Sequence, residues 1–285
     1  MRILFAVDDQ AYSGSIVPEA ARISANTWAD ITLLTVQPSS SRLDENKADI
    51  LRNYKDIFLS SIEGGGFPYF ASSDQEDFEK ISVGWQGCQG SGDGSKLCLL
   101  KIRTGDTARE IINEASEGEY DLVIIGASSP DCQWKGESLD LPQKVAEESA
   151  CSVLVIKRLR PTDKIIGCLD QSQISQESLE MINQLVTLHQ ADLKIIGLTG
   201  PKGLSGKGNV EAQMNDILNY YTARDINAWI TLVEKQALEN FVSSASRDGI
   251  MAIWLGKKSM FAKLFSQNMV EKLIGNSQSS VLILR

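Results

Sequence analysis

Ile3-Leu4-Phe5-Ala6-Val7-Asp8, with Ser13 five residues past the acid, is the stretch from which the fold is read. A short apolar run of this kind suits a parallel strand buried on both faces. The acid ends the strand, and the serine points to a helix entry. The pattern returns as Ile165-Ile166-Gly167-Cys168-Leu169-Asp170, again with a serine, Ser175, five residues on. One architecture used twice is the expectation.

Working outward from the first copy, a helix is predicted from about Ser15 to Asn26, with Pro18 in its first turn, where a missing N–H costs nothing. A strand at Ile31–Val36 and a helical stretch at Leu43–Ile62 follow, the latter with Leu51, Tyr54, Ile57, Phe58 and Ile62 on one side. Between Gly64 and Ser95 the glycine clusters and Pro68 break any regular element, although Phe67, Tyr69, Phe70 and Trp85 are too apolar for a plain linker. Regularity resumes with strands at Leu97–Ile102, Leu122–Ile125 and Val153–Ile156, and helices at Thr107–Glu117 and Leu141–Ser149.

The second half reads the same way, with strands at Lys164–Leu169, Leu193–Leu198, Ala228–Val233, Met251–Leu255 and Val281–Leu284 and a helix in each interval. Strands alternating with helices imply a parallel sheet covered on both faces. Asp8 and Asp170 are offset by 162 residues, Gly126 and Gly256 by 130, so the first half holds 32 extra residues between those markers. The irregular Gly64–Ser95 segment accounts for them. The expected organisation is a first domain over residues 1–160, with an insertion at about 64–95, and a second over residues 161–285.

A chain of 285 residues is long enough for two domains with a core each. The net charge of −9 opposes broad contact with phosphate backbones, so nucleic acid is not an expected partner. Five cysteines show no paired metal spacing, and with His189 as the only histidine neither a zinc site nor a Ser-His-Asp triad is expected. The cysteines read as small core residues of a reducing compartment. Neither a signal peptide nor a bilayer-spanning run is apparent, so a cytoplasmic location without a membrane partner is expected.

Three features in order carry a resemblance: Asp8-x4-Ser13, then Asp121-Leu122-Val123-Ile124-Ile125-Gly126, then Ala150-Cys151-Ser152-Val153-Leu154-Val155-Ile156-Lys157. The second half repeats them through Asp170-x4-Ser175, Trp254-Leu255-Gly256 and Ser280-Val281-Leu282-Ile283-Leu284-Arg285. The layout resembles the universal stress protein family in tandem form, over essentially the whole chain except Gly64–Ser95. The resemblance implies an α/β fold of two tandem open parallel five-stranded sheets with helices on both faces, Rossmann-like and similar to the adenine nucleotide alpha hydrolases. It also implies a ligand crevice between the carboxyl ends of strands one and four, the topological switch point.

In members of the family that bind ATP, the acid after strand one and an apolar residue on strand two frame adenine and ribose. A glycine-x2-glycine-x9-glycine-serine or -threonine loop then cradles the phosphates. Carried over, these roles fall on Asp8, Val36, Gly126 and Ser129 in the first half and on Asp170, Leu198, Gly256, Ser259 and Asn268 in the second. The first loop departs from the pattern: Ser129 replaces the second glycine, and Leu139-Asp140 replaces the glycine-serine pair. Asp140 puts a carboxylate where phosphate is expected, and two unit charges about 4 Å apart repel by roughly 1–4 kcal/mol. The second loop is two residues shorter and carries Gln267-Asn268 at the pair, but Lys257, Lys258 and Lys263 supply positive charge.

Each of these residues has a plainer reading. Asp8 and Asp170 also serve as strand terminators that organise the next turn, Val36 and Leu198 as core, and the lysines as a solvated helix entry. Gly200-Pro201-Lys202-Gly203-Leu204-Ser205-Gly206-Lys207 fails as a P-loop, because the glycine spacing is wrong and Gly208 stands where Ser or Thr belongs. Trp134 is a candidate lid and Cys132 a candidate redox-sensitive thiol, with packing and inertness as the alternatives.

The leading expectation is a stress-response binding or regulatory module with degenerate nucleotide sites, no assured cofactor and an unnamed protein partner. The competing one is an ATP-binding member, at most a weak ATPase, using one half, with the second half favoured. A third is a sensor of a small ligand or partner whose specificity lies in the insertion. In the family the last strand commonly pairs with its counterpart in another domain. Val153–Ile156 and Val281–Leu284 are therefore expected to pair antiparallel within the chain as a built-in pseudo-dimer, which slow hydrogen exchange at both strands would support. A homodimer has one candidate surface, the aromatic-containing insertion.

Overall fold

The computed structural model describes residues 1–62, 68–69, 77–87, 95–127, 141–157, 162–169, 175–199, 207–234, 237–246, 248–255, 269–277 and 279–285. The chain divides into two units, Met1–Leu159 and Arg160–Arg285.

In the first unit the elements run β1 (Arg2–Ala6), α1 (Ala11–Asn26), β2 (Asp30–Gln37), α2 (Glu45–Ser60), β3 (Phe78–Ile81) and β4 (Gly84–Gly87). Then follow β5 (Cys98–Thr104), α3 (Thr107–Glu117), β6 (Leu122–Gly126), α4 (Leu141–Glu148) and β7 (Ser152–Ile156). Sheet order in this unit is β7-β6-β1-β2-β5-β4-β3. Strands β7, β6, β1, β2 and β5 are all parallel, with Ile3 of the central β1 opposite Ile31 on one side and Leu122 on the other. Ile3, Leu4 and Phe5 are wholly buried, as are all five residues of β6 and of β7. That is the burial expected of a parallel sheet covered on both faces.

The insertion is not devoid of regular structure, contrary to the expectation that its glycines break every element. β3 and β4 form an antiparallel hairpin, with Ile81 opposite Gly84, and β4 adds antiparallel to the edge of β5. The first unit therefore has a mixed sheet of seven strands, not a parallel one of five. Four-residue strands are too short to show a period, which is why the pattern gave no sign of them. Gly84 is required at the turn: its φ is +154°, and a side chain there would run into the backbone carbonyl of Ile102. The insertion's aromatic residues serve its own unit. Trp85 is buried, and Tyr69 packs edge-on against Phe58 at 5.2 Å while donating to the carbonyl of Ala29. Both are thereby withdrawn from the surface expected to serve a homodimer. Phe67 and Phe70 lie outside the described residues.

The second unit runs β8 (Lys164–Cys168), α5 (Gln176–His189), β9 (Asp192–Thr199), α6 (Lys207–Thr222), β10 (Ala228–Glu234), α7 (Leu238–Ala245), β11 (Ile250–Trp254), α8 (Met269–Asn276) and β12 (Val281–Leu284). Its sheet is parallel throughout, in the order β10-β9-β8-β11-β12. The five parallel strands of the first unit, β5-β2-β1-β6-β7, follow the same path. Ile166, Cys168, Ile196, Met251 and Ile253 form the core on one face, against Leu238, Val242 and Leu273 of the helices. Burial pushes the Cys168 thiol up to about 12, so it is the inert core cysteine the sequence suggests. No helix among the described residues is long and apolar enough to cross a membrane.

Candidate functional site

In a sheet ordered β5-β2-β1-β6-β7 the chain leaves β1 for β2 on one side and later returns to β6 on the other. The carboxyl ends of β1 and β6 therefore flank the switch point, where α/β sheets of this type take ligands. β1 pairs Ala6 with Leu34 of β2 and with Ile125 of β6. Parallel register then carries Asp8, Val36 and Gly126 to one end of the sheet. Of the residues singled out in the first half, these three are brought together, and Ser129 lies outside the described residues.

Asp8 is 4 % exposed. Its Oδ1 accepts from the Ser13 hydroxyl at 2.5 Å and from the backbone N–H of Gln10 at 3.1 Å, while its own N–H donates to Ser13 Oγ at 3.3 Å. The bond to Gln10, two residues on, makes an Asx-type turn. That turn starts the helix early: α1 begins at Ala11, not at Ser15. Two consequences follow. Pro18 lies inside the helix rather than in its first turn, leaving the carbonyl of Gly14 without its usual donor at a cost of about 3 kcal/mol. Ser13 sits in the helix and turns back to the acid instead of capping. In the second unit Ser175 does cap α5, its hydroxyl accepting from the N–H of Ser178 at 3.1 Å. One motif thus has two local outcomes.

Two tyrosines complete the cluster. The Tyr54 hydroxyl, from α2, donates to the carbonyl of Asp8 at 2.9 Å and lies 3.3 Å from that of Gln10, fixing the turn across 46 residues of sequence. The Tyr12 side chain, from the first turn of α1, lies over Gly126: a Cβ built on that glycine would stand 2.5 Å from Tyr12 Cε2 and 2.9 Å from Ile16 Cδ1. Gly126 is thus a place of close approach, and the ring that approaches is the protein's own.

Burial raises the pKa of Asp8, and the hydrogen bonds from Ser13 and Gln10 only partly oppose it; Asp9 raises it further and Lys47 lowers it. Its Oδ2 is buried and accepts no hydrogen bond among the described residues. Burial also raises the Tyr12 phenol, with the Asp8 carboxylate acting in the same direction, and pushes the Tyr54 phenol up to about 12. Both phenols stay protonated at neutral pH, and that of Tyr54 donates to the Asp8 carbonyl.

Val36, read as either an adenine contact or core, is 9 % exposed. Leu198 lies on β9 opposite Val233. Asp170, Gly256, Ser259 and Asn268 lie outside the described residues, as do Leu139, Asp140, Lys257, Lys258, Lys263, Cys132 and Trp134. Tyr12 and Tyr54 are the site residues that sequence reasoning missed. Tyr54 reads simply as one of a helical apolar row. Tyr12 precedes the helix expected from Ser15, and it is the Asx turn at Asp8 that brings it into the first turn.

Comparison with solved structures finds a universal stress protein from Archaeoglobus fulgidus DSM 4304 at 14 % identity and a TM-score of 0.59, covering 100 % of this chain and 96 % of that one. A functionally unknown protein from Pseudomonas aeruginosa PAO1 matches at 18 % identity and a TM-score of 0.57, covering 99 % and 92 %. At such identities the likeness is one of fold. Comparison with curated protein sequences gives no match. The sequence profile of the universal stress protein family matches residues 1–157, which contain Asp8, Gly126 and the whole of the cluster around them. The chain belongs to the universal stress protein family.

Proposed function

We propose that the protein is a tandem universal stress protein that works in the cytoplasm by binding and regulation, and that its first crevice does not serve as an ATP site. What supports this is the Asp8 carboxylate. In an ATP-binding crevice the acid after strand one must face the ligand. Here it is 4 % exposed, and Oδ1 is committed to Ser13 and Gln10 of its own chain. Releasing it costs both hydrogen bonds, on the order of 1.5–3 kcal/mol each for a charged acceptor, before any ligand contact is gained. The Leu139-Asp140 pair points the same way, since its acid adds charge where phosphate is expected.

The test uses the full-length protein. Heat denaturation followed by mass spectrometry should release no adenine nucleotide, and millimolar Mg-ATP should leave the melting temperature unchanged. A ligand present at 100 times its Kd stabilises by about 2.7 kcal/mol, a shift too large to miss. Co-purified ATP, or a saturable shift, that survives Asn268→Asp would overturn the reading of the first crevice. If a shift appears, its loss on Asn268→Asp but not on changes at Asp140 would assign the binding to the second half.

A further inference from the structure

At the switch point of the first unit the ring of Tyr12 lies against the end of β6. Its hydroxyl is buried, with Asp8, Ser13 and Tyr54 as the groups that act on it. Its edge lies against the end of β6 so closely that Gly126 has no room for a methyl group. Ile16, one helical turn further on, crosses the same glycine, so the two side chains form a single apolar cover over the strand end. On the other flank the Tyr54 ring packs closely on the first turn of α1, 3.3 Å from where a Cβ of Gly14 would be.

We propose that Tyr12 is the resident occupant of the first crevice: a tethered aromatic group seated where a fold of this kind takes its ligand. The first unit carries that group covalently and accepts a free aromatic molecule only when the side chain is removed. This rests on the reading that the first crevice is not an ATP site, and it names what is there instead. The chemistry of the walls defines the free ligand that would replace it. Gly126 and Ile16 supply an apolar face, and Asp8 supplies an acceptor at the far end, so the matching guest is an uncharged phenol. An anionic ligand would meet the Asp8 carboxylate.

The obvious probe is phenol, which is the tyrosine side chain beyond its Cβ. Tyr12→Ala keeps the helix propensity of the first turn and vacates the space of phenol. Apolar cavities made by truncation take up ring-sized guests. The melting temperature of Tyr12→Ala should fall below that of the wild type and be raised saturably by phenol, by about 4 °C at ten times its Kd. The wild type should show no such rise. Equal responses in the two proteins would overturn the proposal.

A second measurement stands independently of rescue and uses Gly126→Ala. In the wild type the new methyl group must expel the Tyr12 ring, so the substitution should lower the melting temperature markedly. In a Tyr12→Ala background, which has no ring to expel, most of that loss should disappear. Equal losses in both backgrounds would also overturn the proposal. If Tyr12→Ala does not fold, Tyr12→Leu supplies the same background. Mg-ATP on the wild type tests the functional reading, whereas phenol and the Gly126→Ala cycle test the occupant, so failure of one is distinguishable from failure of the other.

Discussion

Two of the places where the first unit buries charge are solved in opposite ways. At the carboxyl end of β5, Arg103 is 2 % exposed and its guanidinium reaches three glutamates of α3: Glu110 at 2.8 Å, Glu114 at 2.7 Å and Glu117 at 2.9 Å. Lys101 meets the other oxygen of Glu114 at 2.7 Å, and the Tyr120 hydroxyl stands 3.1 Å from it. Burial acts to raise the pKa of Glu114, but Lys101 and Arg103 outweigh it and hold the carboxyl below its ordinary range. At the end of β1, Asp8 is buried almost as deeply with hydroxyls and one N–H for company, and there burial wins. Depth is similar; the sign of the shift differs because Glu114 has two cations in contact, whereas Asp8 has dipoles in contact and Lys47 only as the smallest of the effects on it. The paired cluster fastens α3 to β5. The under-compensated one stands at the switch point.

The strongest way to break this comparison is to remove Arg103. In Arg103→Met the apolar stem survives, but Glu110 and Glu117 lose their counter-charge and Glu114 keeps only Lys101. Removing one partner of a buried ion pair costs about 3–5 kcal/mol, and urea denaturation should show a loss of that size at pH 7. A loss under about 1 kcal/mol would mean that the cluster is worth no more than a surface pair. Tyr54→Phe probes the other region at a smaller scale. It removes a neutral donor from the carbonyl of Asp8, which is then buried without it. The expected loss is about 1–3 kcal/mol by the same measurement. If Tyr54→Phe proves as costly as Arg103→Met, the contrast between a charged clamp and a dipolar one is false.

The same contrast explains what could be read from the sequence. The switch point comes from the resemblance to the family, whereas the strands themselves follow from Ile3–Val7, Leu122–Ile125 and Val153–Ile156, because a strand buried on both faces must be apolar throughout. Asp8 stands out for the same reason, as a charge at the end of such a run. Tyr54 does not stand out, because an amphipathic side chain on a helix reads as core even when its hydroxyl holds a turn, and Tyr12 does not because it precedes the helix expected from Ser15. The start of α1 was misplaced because the Asx turn at Asp8 depends on one side-chain hydrogen bond, not on any periodicity. The hairpin β3–β4 escaped because its two four-residue strands are held by the edge of β5, a tertiary partner that a local pattern cannot show.

Asp8→Asn gives the smallest effect and the sharpest sign. The amide oxygen can still accept from Ser13 and Gln10, and the nitrogen takes the place of Oδ2, which accepts no hydrogen bond among the described residues. Burial raises the pKa of Asp8 in the folded state above its unfolded value near 3.9. Between those two values the folded protein binds more protons at this position than the unfolded one. The wild type therefore loses stability from this group as pH rises through that window, and above it the loss is constant. Asparagine has no such dependence. Asp8→Asn should accordingly melt higher than the wild type at pH 7, and the gain should shrink as pH falls toward 4. A gain that grew with acidity would mean that the folded pKa is depressed, as it is for Glu114. The Asp8 carboxylate would then be as fully compensated as the one on α3.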